Sequence, residues 1–157
     1  MEPKAITKIR VSDNVSLITI NNLEDNLEYV PRIFSAIAQK GINVDMISLS
    51  PPYKNRISLS FTIDNDRVSD AINLVGRFKD NVPDINCDVN TENSKIMVFG
   101  EKMKETVGVA ASVLETVISG GIEVKLITTA ENEISLLVND ADVDPACGLL
   151  REKYLDC

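Results

Sequence analysis

The sequence predicts an α+β fold: two βαββαβ units in tandem, each an antiparallel sheet with helices on one face, the first unit inserted in the second. Three observations carry this. The run Gly41-Ile42-Asn43-Val44-Asp45-Met46-Ile47-Ser48 reappears as Gly121-Ile122-Glu123-Val124-Lys125-Leu126-Ile127-Thr128, and the same register brings Ile33-Phe34 onto Val113-Leu114. Within each copy the apolar period switches between that of a strand and that of a helix. The second copy is also one strand short, while an apolar alternation at Ile6, Ile9 and Val11 precedes the first copy without a partner there.

The elements of the first copy follow in order. Val15, Leu17 and Ile18-Thr19-Ile20 are rich in strand formers. Val30, Ile33, Phe34 and Ile37 then recur at helical spacing. Proline is comfortable only in a first helical turn, so Pro31 places the helix start near Glu28 to Val30, with Asp25-Asn26 in the loop; the alternative is a start at Asn26 with a distorted first turn. Gly41 stands where a helix end favours a left-handed residue. Val44 to Leu49 is expected as a second strand, and Pro51-Pro52-Tyr53-Lys54-Asn55 breaks the chain after it. Ile57, Leu59, Phe61 and Ile63 alternate as a half-buried strand does. Asp66 is expected to cap a helix with the apolar face Val68, Ala71, Ile72, Val75 and Phe78. Pro83 ends that helix, and Ile85 to Val89 forms a fourth strand.

The second copy reads as a strand Lys95–Phe99, a helix Val107–Ser119, strands Val124–Thr128 and Ile134–Val138, and a helix Val143–Tyr154. Its missing fourth strand is expected from the N-terminal segment, which removes an unpaired sheet edge. The units are therefore expected at 15–91, and at 6–12 plus 94–157. The layer is the ferredoxin-like split βαβ, which by itself implies no function.

Composition narrows the function classes. The net charge is −8, without the basic stripe that phosphate neutralisation needs, so no nucleic acid is expected. No apolar run approaches the roughly 20 residues of a membrane span, and no leader is apparent at the N-terminus. Cys87, Cys147 and Cys157 show no metal spacing and fit a reducing, cytoplasmic setting. There is no histidine, which removes the commonest general base and metal ligand. No catalytic residue or metal site is identified.

Taken together, Gly41-Ile42-Asn43-Val44-Asp45-Met46-Ile47-Ser48, Val98-Phe99-Gly100, Met103-Lys104, Gly108-Val109-Ala110 and Leu126-Ile127-Thr128-Thr129-Ala130-Glu131 closely resemble the paired ACT domains at the C-terminus of aspartokinases. The resemblance covers the chain from about Ile6 to Tyr154. It implies feedback control of aspartate phosphorylation through lysine and/or threonine as effector. It also implies homodimers through ACT units, and association with a kinase catalytic domain or subunit. No Gly-rich phosphate loop is present, so the chain is expected to be non-catalytic and to carry no cofactor; ATP and Mg would belong to the kinase domain. It is expected to be a regulatory fragment or a separately made regulatory subunit. The alternatives are a structural dimerisation module with a degenerate effector site, and a stand-alone amino-acid sensor.

The resemblance also implies the site. The loop before the first helix would hold the effector carboxylate on free helix N–H groups. Here that places Leu23, Asp25, Asn26, Glu28, Tyr29 and Val30 on one side, and Asn43, Val44, Asp45, Leu49 and Ser50 on the facing second strand. The second-unit candidates are Met103, Lys104, Gly108, Val109, Glu123 and Val124. The family's Pro-Gly pair falls on Leu27-Glu28 in the first copy and on Val107-Gly108 in the second. Glu28 would thus put an anion at an anion site. Leu49 replaces a position that is often polar in the family, and Asp45 has Lys125 as its counterpart, so the two sites cannot be chemically equivalent.

Overall fold

The structure is a computed structural model, and it describes residues 4–26, 28–82 and 84–156. The chain forms β1 (Lys8–Glu24), α1 (Tyr29–Gln39), β2 (Ile47–Leu49), β3 (Arg56–Asp64), α2 (Val68–Asn81) and β4 (Asn86–Phe99). It continues with α3 (Val109–Ser119), β5 (Leu126–Thr129), β6 (Glu133–Asn139) and α4 (Val143–Tyr154). None of the described helices is long and apolar enough to cross a membrane.

The chain divides into two compact units. One is Asn14–Glu92; the other combines the residues up to Asp13 with those from Asn93 onward. The first unit is therefore inserted in the second. Strands β1 and β4 each run through the boundary, where the expected pairs of short strands are fused. At the boundary Asn14 in β1 and Glu92 in β4 both have φ of 60°. Left-handed backbone of this kind suits asparagine better than most residues.

In the inserted unit the strand order is β2-β3-β1-β4. β3 is antiparallel to both β1 and β2, with Phe61 opposite Ile18 and Ile47. All four alternating residues Ile57, Leu59, Phe61 and Ile63 are buried. They meet Ile18, Ile20 and Leu23 of β1, Ile33 and Ile37 of α1, and Ala71 and Val75 of α2. Gly41 closes α1 with φ of 71°, in the left-handed region expected of it.

The second unit has the order β1-β4-β6-β5. β6 is antiparallel to β4 and β5. Ile96, Val98, Val113, Val117, Leu136 and Leu150 form its centre, and Ile6 is buried among them. The Thr7 N–H donates to the Phe99 carbonyl at 2.9 Å, which holds the N-terminal segment on β4.

Five local expectations differ from the structure. β2 begins at Ile47, not Val44, and β5 at Leu126, not Val124. The Asp45 N–H still donates to the Thr62 carbonyl (3.1 Å), but the Met46 N–H goes to the Thr62 hydroxyl (2.9 Å), so a side chain interrupts the ladder. Asp66 does not cap α2: it lies in a 3-10 turn, Asn65–Arg67, that leads into the helix, and no side chain caps that helix. Ile72 is 44% exposed, on the outer side of α2 rather than in its apolar face. The helix expected from Val107 starts at Val109, because Gly108 has φ of 86° and serves as its N-cap. Pro83, Leu27 and Cys157 lie outside the described residues.

Cys147 sits on the inner face of α4 and is 4% exposed. Burial pushes its thiol up; Arg151 opposes this and Asp144 adds to it. A thiol whose folded value exceeds its unfolded value, about 8.5, stabilises the fold fully below that pH and loses the contribution as pH rises through the folded value. Two outcomes are expected: a falling denaturation midpoint above about pH 8.5, and no alkylation of Cys147 by iodoacetamide until urea unfolds the chain. Peptide mass mapping reads the second, and rapid alkylation of native Cys147 would contradict it.

Candidate functional site

The two corresponding helix starts, α1 and α3, differ in every group that could meet an anion. A helix leaves its first N–H groups without intrahelical acceptors, and they carry partial positive charge. At α1 most of these are spent. The Glu28 N–H donates to Asn26 Oδ1 at 3.0 Å, and the Tyr29 N–H to the Asn26 carbonyl at 3.1 Å. Pro31 has no N–H to offer. The Glu28 carboxylate lies at the same helix end and pairs with Arg32 at 3.0 Å, both side chains well exposed. Such an exposed i,i+4 pair contributes only a few tenths of a kcal/mol. Its larger consequence is a fixed negative charge where a ligand carboxylate would approach.

At α3 the first intrahelical bond runs from the Ser112 N–H to the Gly108 carbonyl, at 3.0 Å. The N–H groups of Val109, Ala110 and Ala111 precede it and have no helical acceptor. No side chain caps this helix. Gly108 holds the left-handed conformation, and the space beside its Cα is open for 4 Å. A pocket of about 340 Å³ opens at this helix end, lined by Met103, Lys104, Gly108, Val109, Ala130 and Glu131 among others. Lys104 and Glu131 are exposed, so a cation and a carboxylate stand at the same pocket. Met103 is 7% exposed and belongs to the core, so it packs as well as lining the site. Val107 is fully exposed beside it.

The remaining candidates divide. Leu23 is buried in the core of the inserted unit, with Tyr29 and Val30 packed partly against it. Asp25 and Asn26 are exposed in the loop. Asn43 and Asp45 are exposed, and Val44 is partly buried, ahead of β2. Leu49 is 52% exposed at the sheet edge, and the Ser50 hydroxyl accepts from the Ser58 N–H at 2.8 Å. Glu123 is exposed and Val124 packs against the second core. Lys125, the counterpart of Asp45, donates to Asn139 Oδ1 (2.6 Å) and to Asn93, which is fully buried. Its ammonium is thus engaged within its own unit. Sequence reasoning named the α3 loop but not Glu131 as a site residue, although Glu131 closes the motif Leu126–Glu131.

Comparison with known proteins agrees with this architecture. The family model for the ACT domain matches residues 21–77 and 96–154. The aspartokinase of Geobacillus stearothermophilus is 29% identical over 157 residues, covering 98% of this chain and 37% of that protein. That of Mycolicibacterium smegmatis is 26% identical over 156 residues, with 98% and 37% covered. The chain thus spans little more than a third of these relatives. Among solved structures, the ligand-free regulatory subunit of aspartate kinase from Thermus thermophilus superposes with a TM-score of 0.86 at 22% identity, covering 98% of this chain and all of that one. The aspartate kinase of Synechocystis reaches 0.89 at 21% identity, over 98% of this chain and 27% of that one.

Proposed function

This chain belongs to the ACT domain family, and from that premise we propose that it is the amino-acid-sensing regulatory module of an aspartokinase. Its effector is lysine and/or threonine, and its output is feedback inhibition of aspartate phosphorylation in the cytoplasm. Phosphotransfer, with ATP and Mg, belongs to the kinase catalytic domain or subunit with which the module associates.

The observation that carries this reading is the contrast between the two helix starts. The α3 end offers unclaimed N–H groups, an open glycine and a pocket with Lys104 and Glu131 on its wall. An α-amino acid fits that set: its carboxylate faces the helix N-terminus and its ammonium faces Glu131. The α1 end is filled by its own Glu28, Asn26 and Pro31. The inserted unit then serves mainly in assembly. Its edge strand β2 exposes Ile47 (49%) and Leu49 (52%), and Tyr53 beyond it is 73% exposed, an apolar edge suited to the same edge of a second copy.

A calorimetric and thermal-shift panel of the twenty amino acids tests the reading. At about 100 times its dissociation constant the effector should add about 2.7 kcal/mol of stability. Glu131→Gln should weaken that ligand about tenfold, the cost of one charge-assisted contact. Glu28→Gly should leave its affinity unchanged. No shift with any amino acid would sink effector binding by this module. Gain of binding only in Glu28→Gly would favour the dimerisation reading, with the inserted unit's site degenerate.

A further inference from the structure

The second unit carries another charged pocket, on the sheet face turned away from its helices. Met97 and Phe99 of β4 alternate with the core residues Ile96 and Val98, so they lie on that opposite face. Lys8 and Arg10 of β1 flank them on one side and Glu133 of β6 on the other, around a pocket of about 240 Å³. Glu133 is directly opposite Phe99 in the ladder. The layout is cation, apolar floor, anion, across three adjacent strands.

Among the described residues, Lys8, Arg10 and Glu133 take part in no ion pair. The Glu133 carboxylate accepts one bond from the Ser135 hydroxyl at 3.3 Å, and Ser135 is 2% exposed, so a buried donor orients the carboxylate.

The inserted unit supplies an internal comparison. Asn14 and Glu92, both left-handed, fix the correspondence of the strands, which also pairs Val11 with Val89 and Ser16 with Ser94. By that register Arg10 corresponds to Asp88, Phe99 to Asn21 and Glu133 to Ser58. There the three polar groups close on each other: Asn21 Nδ2 donates to Asp88 at 3.3 Å, and the Ser58 hydroxyl donates to Asn21 Oδ1 at 2.9 Å. The fold therefore accepts a carboxylate in place of Arg10 and a hydroxyl in place of Glu133, and does not require this cation and anion. In the second unit the ring of Phe99 separates the two charges, and neither is neutralised by the other.

We propose that this face of the second unit, with Lys8 and Arg10, Met97 and Phe99, and Glu133, is a binding site for a small molecule bearing a carboxylate and an ammonium separated by an aliphatic chain. The carboxylate pairs with Arg10 and Lys8, the ammonium with Glu133, and the methylenes lie on Phe99 and Met97. Charge and size narrow the class. A polyphosphate would meet the Glu133 carboxylate. Strands lie about 4.8 Å apart, so β1 and β6 are separated by about 10 Å. Charges on one carbon, as in threonine, are about 2.5 Å apart, whereas the six bonds that join carboxylate carbon to ammonium nitrogen through five methylenes each advance about 1.25 Å in an extended zigzag, about 7.5 Å together. The site is distinct from the α3 helix end and stands independently of the effector reading.

The probe is 6-aminohexanoate, titrated into the chain and followed by backbone amide and Met methyl NMR. Saturable shifts are expected at Lys8, Met97, Phe99 and Glu133. Hexanoate and hexylamine, each carrying one charge, should bind about tenfold more weakly, and threonine should leave these signals in place. Glu133→Gln and Arg10→Gln should each weaken 6-aminohexanoate about tenfold while the remaining spectrum stays folded. The proposal is overturned by an absence of saturable shifts there, by equal binding of hexylamine or hexanoate, or by shifts confined to Met103–Gly108. The last result would assign the ligand to the α3 end. Failure of the amino-acid panel leaves this titration unaffected, so the two readings fail separately.

Discussion

Gly100→Ala is expected to destabilise the second unit by about 2–4 kcal/mol, in the range of a lost buried isoleucine. A Cβ built on Gly100 would sit 1.6 Å from the Ala5 carbonyl oxygen, 2.6 Å from its carbon and 3.0 Å from the Ile6 Cα. No rotamer relieves a clash with backbone. The backbone of Gly100 is itself held, its N–H donating to the Asn132 carbonyl at 3.0 Å and its carbonyl accepting from the Met103 N–H at 3.1 Å. The N-terminal segment must therefore give way. It would lose the Thr7–Phe99 bond and expose Ile6, which is 1% exposed in the native unit. Urea denaturation should show the lower midpoint, and amide exchange should accelerate first at Thr7, whose N–H is held by the Phe99 carbonyl. An unchanged midpoint would show that these residues are not docked on β4 as described.

The second large effect is expected in the inserted unit. Phe61→Ala should cost about 3–5 kcal/mol, the range for a buried aromatic truncated in place. Phe61 is fully buried, meets the Phe34 ring edge-on at 5.6 Å between centroids, and pairs across the sheet with Ile18 and Ile47. That is a large share of the 5–15 kcal/mol by which domains are stable. Ile72→Ala is the control: its side chain lies on the outer side of α2, so the change should stay within about 0.5 kcal/mol. Equal midpoints for the two variants would refute the assignment of the core.

Much of the fold was legible because periodicity reports which face of an element is buried. The alternation Ile57–Ile63 and the helical spacing Ile33–Ile37 locate the core directly. Gly41 announced the end of α1 through a conformation that few other residues tolerate. Boundaries set by side-chain hydrogen bonds were less legible. Thr62 interrupts the ladder before β2, and nothing in the local sequence of Val44–Met46 reveals a partner sixteen residues away. Asp66 had the composition of a cap, yet an intervening 3-10 turn moved it away from the helix start.

At the candidate site, the sequence by itself determined the asymmetry: Glu28 against Gly108 is a difference of residues, and a carboxylate at a helix start repels an anion in any context. It also determined the repeat, since two copies of one apolar pattern bury two similar cores. Only the tertiary structure decided which N–H groups were already claimed, because the Asn26 side chain reaches forward to accept from the Glu28 N–H in a turn that periodicity does not encode. It alone decided that Lys125 is engaged by Asn93 and Asn139. It also set Arg10 and Glu133 on either side of Phe99. These residues are distant along the chain, and strand order and register, which depend on the whole packed unit, determine what lies opposite what.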